Sequence, residues 1–246
     1  PVVENFSLSL KKGEIITIVG ESGSGKSTVL SSILGLLPNG GKIISGDIIY
    51  NGESMLNKSL NQWRELRGTE ITMISQDSGG TLNPIRKIGK QFVEYIQTHS
   101  KMSAKEAEEK AEDMFSKVNL PDPEIIMKSY PHQLSGGMKQ RVGIAMALTF
   151  HPKIILADEP TSALDVITQA QIVKEIMDLR KKFDTSIIMV THNLGVAAYI
   201  SDKIIVMQNG KIVDAGNKNE VIENPKSEYT KKLLEAVPEI GGERLV

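Results

Sequence analysis

The chain has 246 residues, a formal net charge of −1 and no cysteine, with 40% apolar and 24% charged residues. This is the balance of a globular protein long enough to bury a core, and a near-neutral charge argues against nucleic acid as the main ligand. The absence of cysteine excludes disulfides, thiolate metal sites and iron–sulfur clusters carried by this chain alone, and no apolar run approaches the roughly 20 residues that cross a bilayer, so we expect any membrane role to come through a partner.

The first predicted elements are two strands that lead into a glycine-rich turn. Alternating polar and apolar residues from Phe6 to Leu10 predict an antiparallel strand, and the apolar run from Ile15 to Val19 predicts a buried strand. The P-loop pattern G-x-x-x-x-G-K-S/T follows directly and opens a predicted helix. Its residues are Gly20, Glu21, Ser22, Gly23, Ser24, Gly25, Lys26, Ser27 and Thr28.

This pattern predicts a phosphate-binding loop. Its glycines allow backbone N–H groups to converge on a phosphate, and the helix N-terminus adds a partial positive charge. In such a loop Lys26 reaches the β- and γ-phosphates of a nucleotide, and the Ser27 hydroxyl ligates Mg²⁺. A flexible Gly/Ser linker needs neither the buried strand before the loop nor Lys26 and Ser27 after it, so we favour nucleotide binding.

The elements after this loop change in character along the chain. An Asn-Gly turn ends a predicted strand that begins at Gly46, a short helix follows from Leu60 to Leu66, and an apolar strand from Ile71 stops at Gln76. From about residue 77 to 151 helical spacing replaces strand patterns. This segment is therefore predicted to be a helical lobe inserted into an α/β domain.

The alternation of strands and helices resumes after residue 151, which predicts a mainly parallel sheet. The predicted elements are a strand at 153–157, a helix at 166–182, and strands at 186–190, 203–207 and 211–214. The first of these strands ends in Asp158 and Glu159, at the sheet edge where ligands of such folds bind. Asp158 would hold Mg²⁺ through water and Glu159 would polarise an attacking water. A surface turn would explain one acid equally well, but beside a P-loop we favour the functional interpretation.

A second helix start has the composition of an anion site. Leu134 and Ser135 precede Gly136 and Gly137, and an apolar helix continues to Leu148. Serine is a preferred N-cap, and the glycines expose backbone donors at the positive end of the helix dipole. A Ser-Gly-Gly sequence alone is usually only a helix cap.

Taken together, these motifs resemble the ATP-binding cassette (ABC) ATPases. The P-loop, Gln76, residues 134–137, Asp158-Glu159, the segment Ser162-Ala163-Leu164-Asp165 and His192 stand in that family's order. The resemblance implies an α/β P-loop NTPase fold with a mainly parallel sheet, an antiparallel β subdomain and an inserted helical subdomain. It places the core at residues 1–76 and 152–246, the helical subdomain at 77–151 and a C-terminal tail at 225–246, within one domain.

The resemblance also implies a role for each motif. In a dimer, Ser135, Gly136 and Gly137 of one subunit would close over the γ-phosphate held by the P-loop of the other, and Asp165 would lie at the interface. The cofactors would be ATP and Mg²⁺. The groups implied to be catalytic are Lys26, Gln76, Glu159 and His192. The groups implied to contact Mg²⁺ are Ser27, Gln76 and Asp158, and those implied to bind nucleotide are the P-loop residues with Gln76, Ser135, Gly136, Gly137, Asp158 and His192.

Finer features resemble the oligopeptide, dipeptide and nickel importer branch of the family. They are the segment 78–84, the segment 165–171, the tail from Tyr229 to Leu234, and the methionines Met138 and Met146 in the signature helix. The resemblance implies a peripheral ATPase subunit at the cytoplasmic face of the membrane that energises uptake of peptides, nickel or other metal chelates. Its partners would be a second ATPase subunit, two membrane permeases and, indirectly, an extracytoplasmic solute-binding protein; no nucleic acid is implied.

Several alternatives stay open at this level. The methionines favour a heterodimer of ATPase subunits, but a homodimer is compatible. An exporter subunit would carry the same catalytic motifs, and a non-transport ABC ATPase acting on ribosomes or DNA is a further alternative, although no tandem cassette, coiled coil or basic face is visible. The sequence does not specify the cargo. The aromatic residue that stacks on adenine in this family is expected upstream of Pro1, so we expect residues to precede the sequence given.

Overall fold

The computed structural model of the chain describes residues 1–38, 40–162, 164–237, 239–240 and 243–244. These residues form two compact units, Pro1–Trp63 with Ser186–Val246, and Arg64–Thr185. Within the described ranges, no helix combines the length and the hydropathy that crossing a bilayer requires.

Strands and helices are interspersed at both ends of the chain, and helices predominate in its middle part. The first part contains β1 (Ile15–Val19), α1 (Lys26–Ile33), β2 (Ile49–Tyr50), β3 (Glu53–Ser54) and α2 (Leu60–Leu66). There follow β4 (Ile71–Ile74), α3 (Ser78–Thr81), α4 (Ile88–His99), α5 (Ala104–Lys117), α6 (Pro123–Lys128), a 3-10 turn (Pro131–Gln133), α7 (Gly136–Leu148), β5 (Ile154–Asp158) and α8 (Val166–Phe183). The last part contains β6 (Ser186–Thr191), α9 (Leu194–Ile200), β7 (Lys203–Gln208), β8 (Lys211–Asn217), α10 (Lys218–Glu223), α11 (Glu228–Glu235), β9 (Glu239–Ile240) and β10 (Glu243–Arg244).

The first unit is built on a sheet in which β1 is the central strand. β1 pairs in parallel with β6 on one side and with β7 on the other, and β7 pairs in antiparallel with β8. All five residues of β1 are buried, which explains why four of them are apolar and the sequence does not alternate; the exception is the buried Thr17. The turn between β7 and β8 has Asn209 and Gly210 at φ 50 and 77, the left-handed pair that a two-residue hairpin requires.

The C-terminal helices complete the core of this unit. Val19 and Val206, from β1 and β7, belong to one buried cluster with Leu194, Val221 and Leu234, which come from α9, α10 and α11 in turn. The predicted tail at 225–246 therefore begins with a helix that contributes to the core. Residues 238, 241, 242, 245 and 246 of that tail lie outside the described residues.

The strand predicted from Phe6 to Leu10 is wrong, because these residues form no regular strand. Their exposure does alternate, with Phe6, Leu8 and Leu10 half-buried and the serines between them exposed. The alternating pattern thus correctly predicts an extended segment with one half-buried and one exposed face. It does not indicate whether a partner strand is present. The strand predicted from Gly46 is shortened to the two-residue strand β2, which is joined to β3 by the predicted Asn-Gly turn.

The second unit contains the predicted helical segment. Residues 77–151 are all described and contain α3 to α7 and a 3-10 turn, without a strand. The helices α4 and α5 pack through Phe92 and Phe115, whose ring centroids lie 5.1 Å apart. A capping box between Ser103 and Glu106 starts α5. The boundaries of a separate helical subdomain stay a prediction. The same unit holds β4 and β5, which pair in parallel.

Candidate nucleotide-binding site

The predicted P-loop connects β1 to α1, and two of its glycines are required for different reasons. Gly25 is the N-cap of α1 with φ 99 and ψ 2, in the left-handed region that glycine adopts without strain. Gly20 lies so close to β7 that a Cβ atom there would be 2.2 Å from the Met207 carbonyl oxygen. The loop therefore passes tightly against the end of β7 and then presents the N-terminus of α1.

Lys26 is held inside the loop. Its side chain is buried, and Nζ donates hydrogen bonds to the carbonyl oxygens of Gly20 and Glu21, each at 2.7 Å. The buried Ser24 hydroxyl has no hydrogen-bond partner among the described residues. A buried polar atom of this kind has hydrogen-bonding capacity that a ligand can satisfy. A cation, an unsatisfied hydroxyl and a helix N-terminus together fit a phosphate group.

The C-terminal helix α11 contacts the loop through Tyr229, a residue whose sequence position indicates no such role. The Glu21 N–H donates a hydrogen bond of 2.9 Å to the Tyr229 hydroxyl. The segment before α11 is fixed by the buried Asp214 carboxylate, which accepts from the N–H groups of Lys226 and Ser227 at 2.7 and 3.3 Å. Burial raises the pKa of Tyr229, so its hydroxyl stays neutral at physiological pH. A contact between residues 208 positions apart has no local sequence signal.

His192 follows the strand next to the one that leads into the P-loop. Thr191, the last residue of β6, pairs with Val19, the last residue of β1. Because the two strands are parallel, His192 and the P-loop lie at the same edge of the sheet. Asn193 caps α9 by accepting a hydrogen bond of 3.2 Å from the Val196 N–H, and the His192 side chain is exposed beside this helix start.

In the second unit, Gln76 and the two acids also follow neighbouring parallel strands. Ile74 of β4 pairs with Ala157 of β5, so Gln76 and Asp158, the last residue of β5, lie at the same edge of this strand pair. Glu159 has φ 43, a left-handed conformation that is uncommon for a residue with a side chain. Its carbonyl oxygen accepts from the Ser162 N–H at 3.2 Å and the Ser162 hydroxyl at 3.1 Å, which closes the turn. Backbone strain of this kind is concentrated at functional sites.

The predicted signature segment begins α7. Ser135 is the N-cap and accepts a hydrogen bond of 3.2 Å from the Met138 N–H, as its sequence position predicts. Ser135 and Gly136 are exposed, whereas Gly137 is buried. One turn further along, Arg141 forms a two-pronged ion pair with Glu175 of α8, with Nη2–Oε1 at 2.7 Å and Nε–Oε2 at 3.0 Å. This pair fixes α7 against α8.

Asp165 caps the N-terminus of α8. It accepts from the Thr168 N–H at 3.0 Å and from the Thr168 hydroxyl at 2.7 Å. These two hydrogen bonds hold the pKa of Asp165 below its ordinary value. Ala163, in the same predicted motif, lies outside the described residues.

Each unit therefore holds part of the predicted site. The first brings the P-loop and His192 to one sheet edge, and the second brings Gln76 and Asp158 to the end of a strand pair, with Glu159 directly after Asp158. The signature residues and Asp165 also belong to the second unit. The roles assigned to the individual residues stay predictions.

The chain is similar in sequence to many curated ATP-binding subunits. The ABC transporter family model matches residues 3–162. The oligopeptide transport ATP-binding protein AppD of Bacillus subtilis is 43% identical over 244 residues, which cover 99% of this chain and 74% of that protein. OppD of Escherichia coli is 44% identical, over 98% of this chain and 71% of that protein. The metal-staphylopine import system ATP-binding protein CntD of Staphylococcus aureus is 42% identical, over 95% and 86%.

Solved structures of ATP-binding cassettes share the fold. The cassette MJ0796, in a dimeric post-hydrolysis state bound to ADP and Pi, matches with a TM-score of 0.76 and 30% identity over 88% of this chain and 90% of that chain. The cbiO1 protein from Clostridium perfringens, part of the transporter complex cbiONQ, matches with a TM-score of 0.78 and 26% identity over 96% and 89%. These matches confirm the predicted α/β P-loop fold with a mainly parallel sheet.

Proposed function

The chain belongs to the ABC transporter family, and we propose that it is the ATP-hydrolysing subunit of an importer for peptides or metal chelates. The observation that carries the proposal is the P-loop itself, in which the buried Lys26 ammonium is held within a loop that ends at a helix N-terminus. The relatives that match almost all of this chain are ATP-binding proteins of oligopeptide, dipeptide and metal-staphylopine transport systems. Their names support import and the two cargo classes.

ATP binding follows from the chemistry of the loop. The N-terminus of α1 offers backbone N–H groups to the phosphates, Lys26 neutralises their charge, and the Ser24 hydroxyl has an unsatisfied hydrogen bond to give. On hydrolysis the γ-phosphoryl group undergoes in-line displacement by water, so the protein acts mainly by positioning groups and stabilising charge.

The predicted magnesium ligands fit that ion. The Ser27 hydroxyl, the Gln76 amide oxygen and the Asp158 carboxylate are all hard oxygen donors, and Mg²⁺ prefers a few such donors together with phosphate oxygens and water. Mg²⁺ held by these residues would offset the negative charge of the bound phosphates.

The remaining residues act on the attacking water and the γ-phosphate. We assign Glu159 to orient the water and accept its proton, Gln76 to contact the water, and His192 to donate a hydrogen bond to the γ-phosphate. In the proposed dimer, Ser135, Gly136 and Gly137 at the start of α7 close over the nucleotide of a second subunit; Ser135 and Gly136 are exposed and Gly137 is buried.

The proposed setting is a complex at the cytoplasmic face of the membrane. The partners would be a second ATPase subunit, two permeases and, indirectly, an extracytoplasmic binding protein. ATP-driven closure of the two ATPase subunits and reopening after hydrolysis would move the permeases between outward- and inward-facing states.

The variant Glu159→Gln tests the enzymatic part of the proposal. The amide keeps the size of the side chain but cannot accept a proton, so we expect ATP to stay bound while turnover falls by about a hundredfold or more. The assay is ATP hydrolysis with parallel measurement of retained nucleotide. Glu109→Gln is the matched control, because it makes the same chemical change at an exposed position on α5. The Glu109 carboxylate lies there 3.9 Å from the Lys105 ammonium. Near-normal hydrolysis by Glu159→Gln would contradict the role of Glu159.

Copurification tests the transport part. The subunit is isolated from its membrane at native abundance and its companions are identified. We expect two permeases and an ATPase subunit, and uptake of peptide or chelated metal that is lost in Glu159→Gln. Recovery of ribosomes in place of permeases would contradict the transport function.

A further inference from the structure

The first turn of α8 joins two of the predicted motifs through a single side chain, Thr168. One branch of this side chain is the hydroxyl, which donates a hydrogen bond of 2.7 Å to Asp165. Because threonine is branched at Cβ, a hydroxyl fixed in this way also fixes the rotamer and hence the direction of the methyl group. The hydrogen bond therefore decides where the methyl carbon Cγ2 lies.

The methyl group of Thr168 lies against Gly137 of the signature segment. A Cβ atom on Gly137 would be 2.8 Å from Thr168 Cγ2, well inside the roughly 3.5–4.0 Å at which carbon atoms pack. Gly137 lies in the first turn of α7 and is not in the left-handed region, so its backbone conformation does not call for glycine. The missing Cβ leaves the space that the methyl group occupies.

The neighbouring glycine shows the contrast. A Cβ atom on Gly136 would be 3.5 Å from Leu164 Cδ2, an ordinary contact distance. Further along the two helices, Arg141 and Glu175 hold α7 and α8 together by their ion pair. A side chain on residue 137 would thus require the start of α7 to move away from α8, or the Thr168 methyl group to turn away and break the hydrogen bond to Asp165.

We propose that Thr168 is a positioning residue that sets the place of the signature turn relative to Asp165, and that residue 137 is glycine in order to admit the Thr168 methyl group. This inference rests on the proposed function, in which Ser135, Gly136 and Gly137 act on the nucleotide of a second subunit. A displaced signature turn would then slow hydrolysis without weakening the P-loop's own hold on ATP. We therefore expect the effect in kcat rather than in KM.

A double-mutant cycle on unfolding tests the packing. The variants are Gly137→Ala, Thr168→Ser and the double variant, with Gly136→Ala as the matched control in the same helix turn. Alanine favours a helix over glycine, so Gly136→Ala should unfold at an equal or higher denaturant concentration. Gly137→Ala should unfold at a lower denaturant concentration than the unmodified chain. Thr168→Ser removes the methyl group but keeps the hydroxyl, so the double variant should unfold at about the concentration of the unmodified chain.

The same variants test the link to function in the complete transporter. Gly137→Ala should lower kcat for ATP hydrolysis about tenfold with little change in KM, which corresponds to about 1.4 kcal/mol of activation free energy. Thr168→Ser in the same chain should recover most of this loss. Thr168→Val keeps a methyl group but loses the bond to Asp165, so it should lower kcat more than Thr168→Ser does.

The other possible results of these two assays also support or overturn the proposed role of Thr168. If Thr168→Ser fails to rescue Gly137→Ala in both assays, or if neither the single nor the double variant folds, the proposal is overturned. Folding of the double variant alone would support it. An unmodified complex that does not hydrolyse ATP would refute the proposed function instead, and the unfolding cycle would still decide the packing between Gly137 and Thr168.

Discussion

Removing the hydroxyl of Tyr229 should weaken ATP binding, because this group holds one side of the P-loop. The peptide groups around Glu21 are held from two directions, since its N–H donates to Tyr229 and its carbonyl oxygen accepts from Lys26. Tyr229→Phe keeps the ring, which packs against the core cluster of the first unit, and removes only the acceptor. At this point the loop would then keep only the two hydrogen bonds that the Glu21 carbonyl oxygen accepts, from Lys26 Nζ and from the Ser24 N–H, among the described residues.

The expected size of the effect follows from the exposure of the bond. A hydrogen bond of this kind contributes about 0.5–1.5 kcal/mol net, and an unsatisfied buried donor would cost more. Glu21 is exposed, so water can replace the lost hydroxyl and the smaller figure applies. About 0.7 kcal/mol corresponds to an increase of about threefold in the Kd for ATP. The same loss should lower the melting temperature by about 1–3 °C.

The assay is equilibrium binding of ATP with thermal unfolding of the same samples. Tyr199→Phe on α9 is the control, because this substitution makes the same chemical change away from the loop. Tyr199 is 59% exposed. We expect Tyr229→Phe to bind ATP more weakly than both the unmodified chain and the control. If both variants bind ATP with the affinity of the unmodified chain, α11 has no part in ordering the P-loop and the reasoning fails.

Two further predictions concern the ammonium of Lys26 and the phenol of Tyr95. Lys26→Ala removes the cation that the loop encloses, so ATP affinity should fall by about a hundredfold or more in equilibrium binding, and unchanged affinity would contradict the P-loop assignment. Burial raises the pKa of Tyr95 to about 12, so the folded state favours the neutral phenol. The free energy of unfolding should be unaffected by this group below about pH 10 and should fall by up to about 3 kcal/mol between pH 10 and 12, a decrease that Tyr95→Phe should reduce.

Local sequence signals predicted the parts of the site that are determined locally. The strand, glycine turn and helix of the P-loop follow from a buried apolar run, left-handed glycine and a helix start within 19 residues, Ile15 to Ile33. The helix α2 begins and ends at the residues that the pattern predicts, Leu60 and Leu66. Ser135 caps its helix because a serine N-cap is satisfied by a backbone N–H three residues on.

Other features depend on partners that the sequence does not specify. Residues 6–10 alternate in exposure without becoming a strand, because a ladder needs a neighbouring backbone at the correct distance. The helix α6 begins at Pro123, a residue that interrupts helices elsewhere but is well tolerated in a first helical turn. The contacts of Tyr229 with Glu21 and of Thr168 with Gly137 join distant segments through ordinary side chains, so no spacing rule could identify them.

The glycines of the two predicted phosphate-binding motifs look alike in sequence, but in the structure glycine is required at each position for a different physical reason. Gly25 is required by its backbone, which has φ 99, and an alanine there would be strained even in empty space. Gly20 is required by the Met207 carbonyl oxygen, which belongs to a strand paired on both sides and cannot yield. Gly137 is required by a single methyl group, which a second substitution can remove. Of the three, only a substitution at Gly137 is therefore expected to be rescued by changing one other side chain.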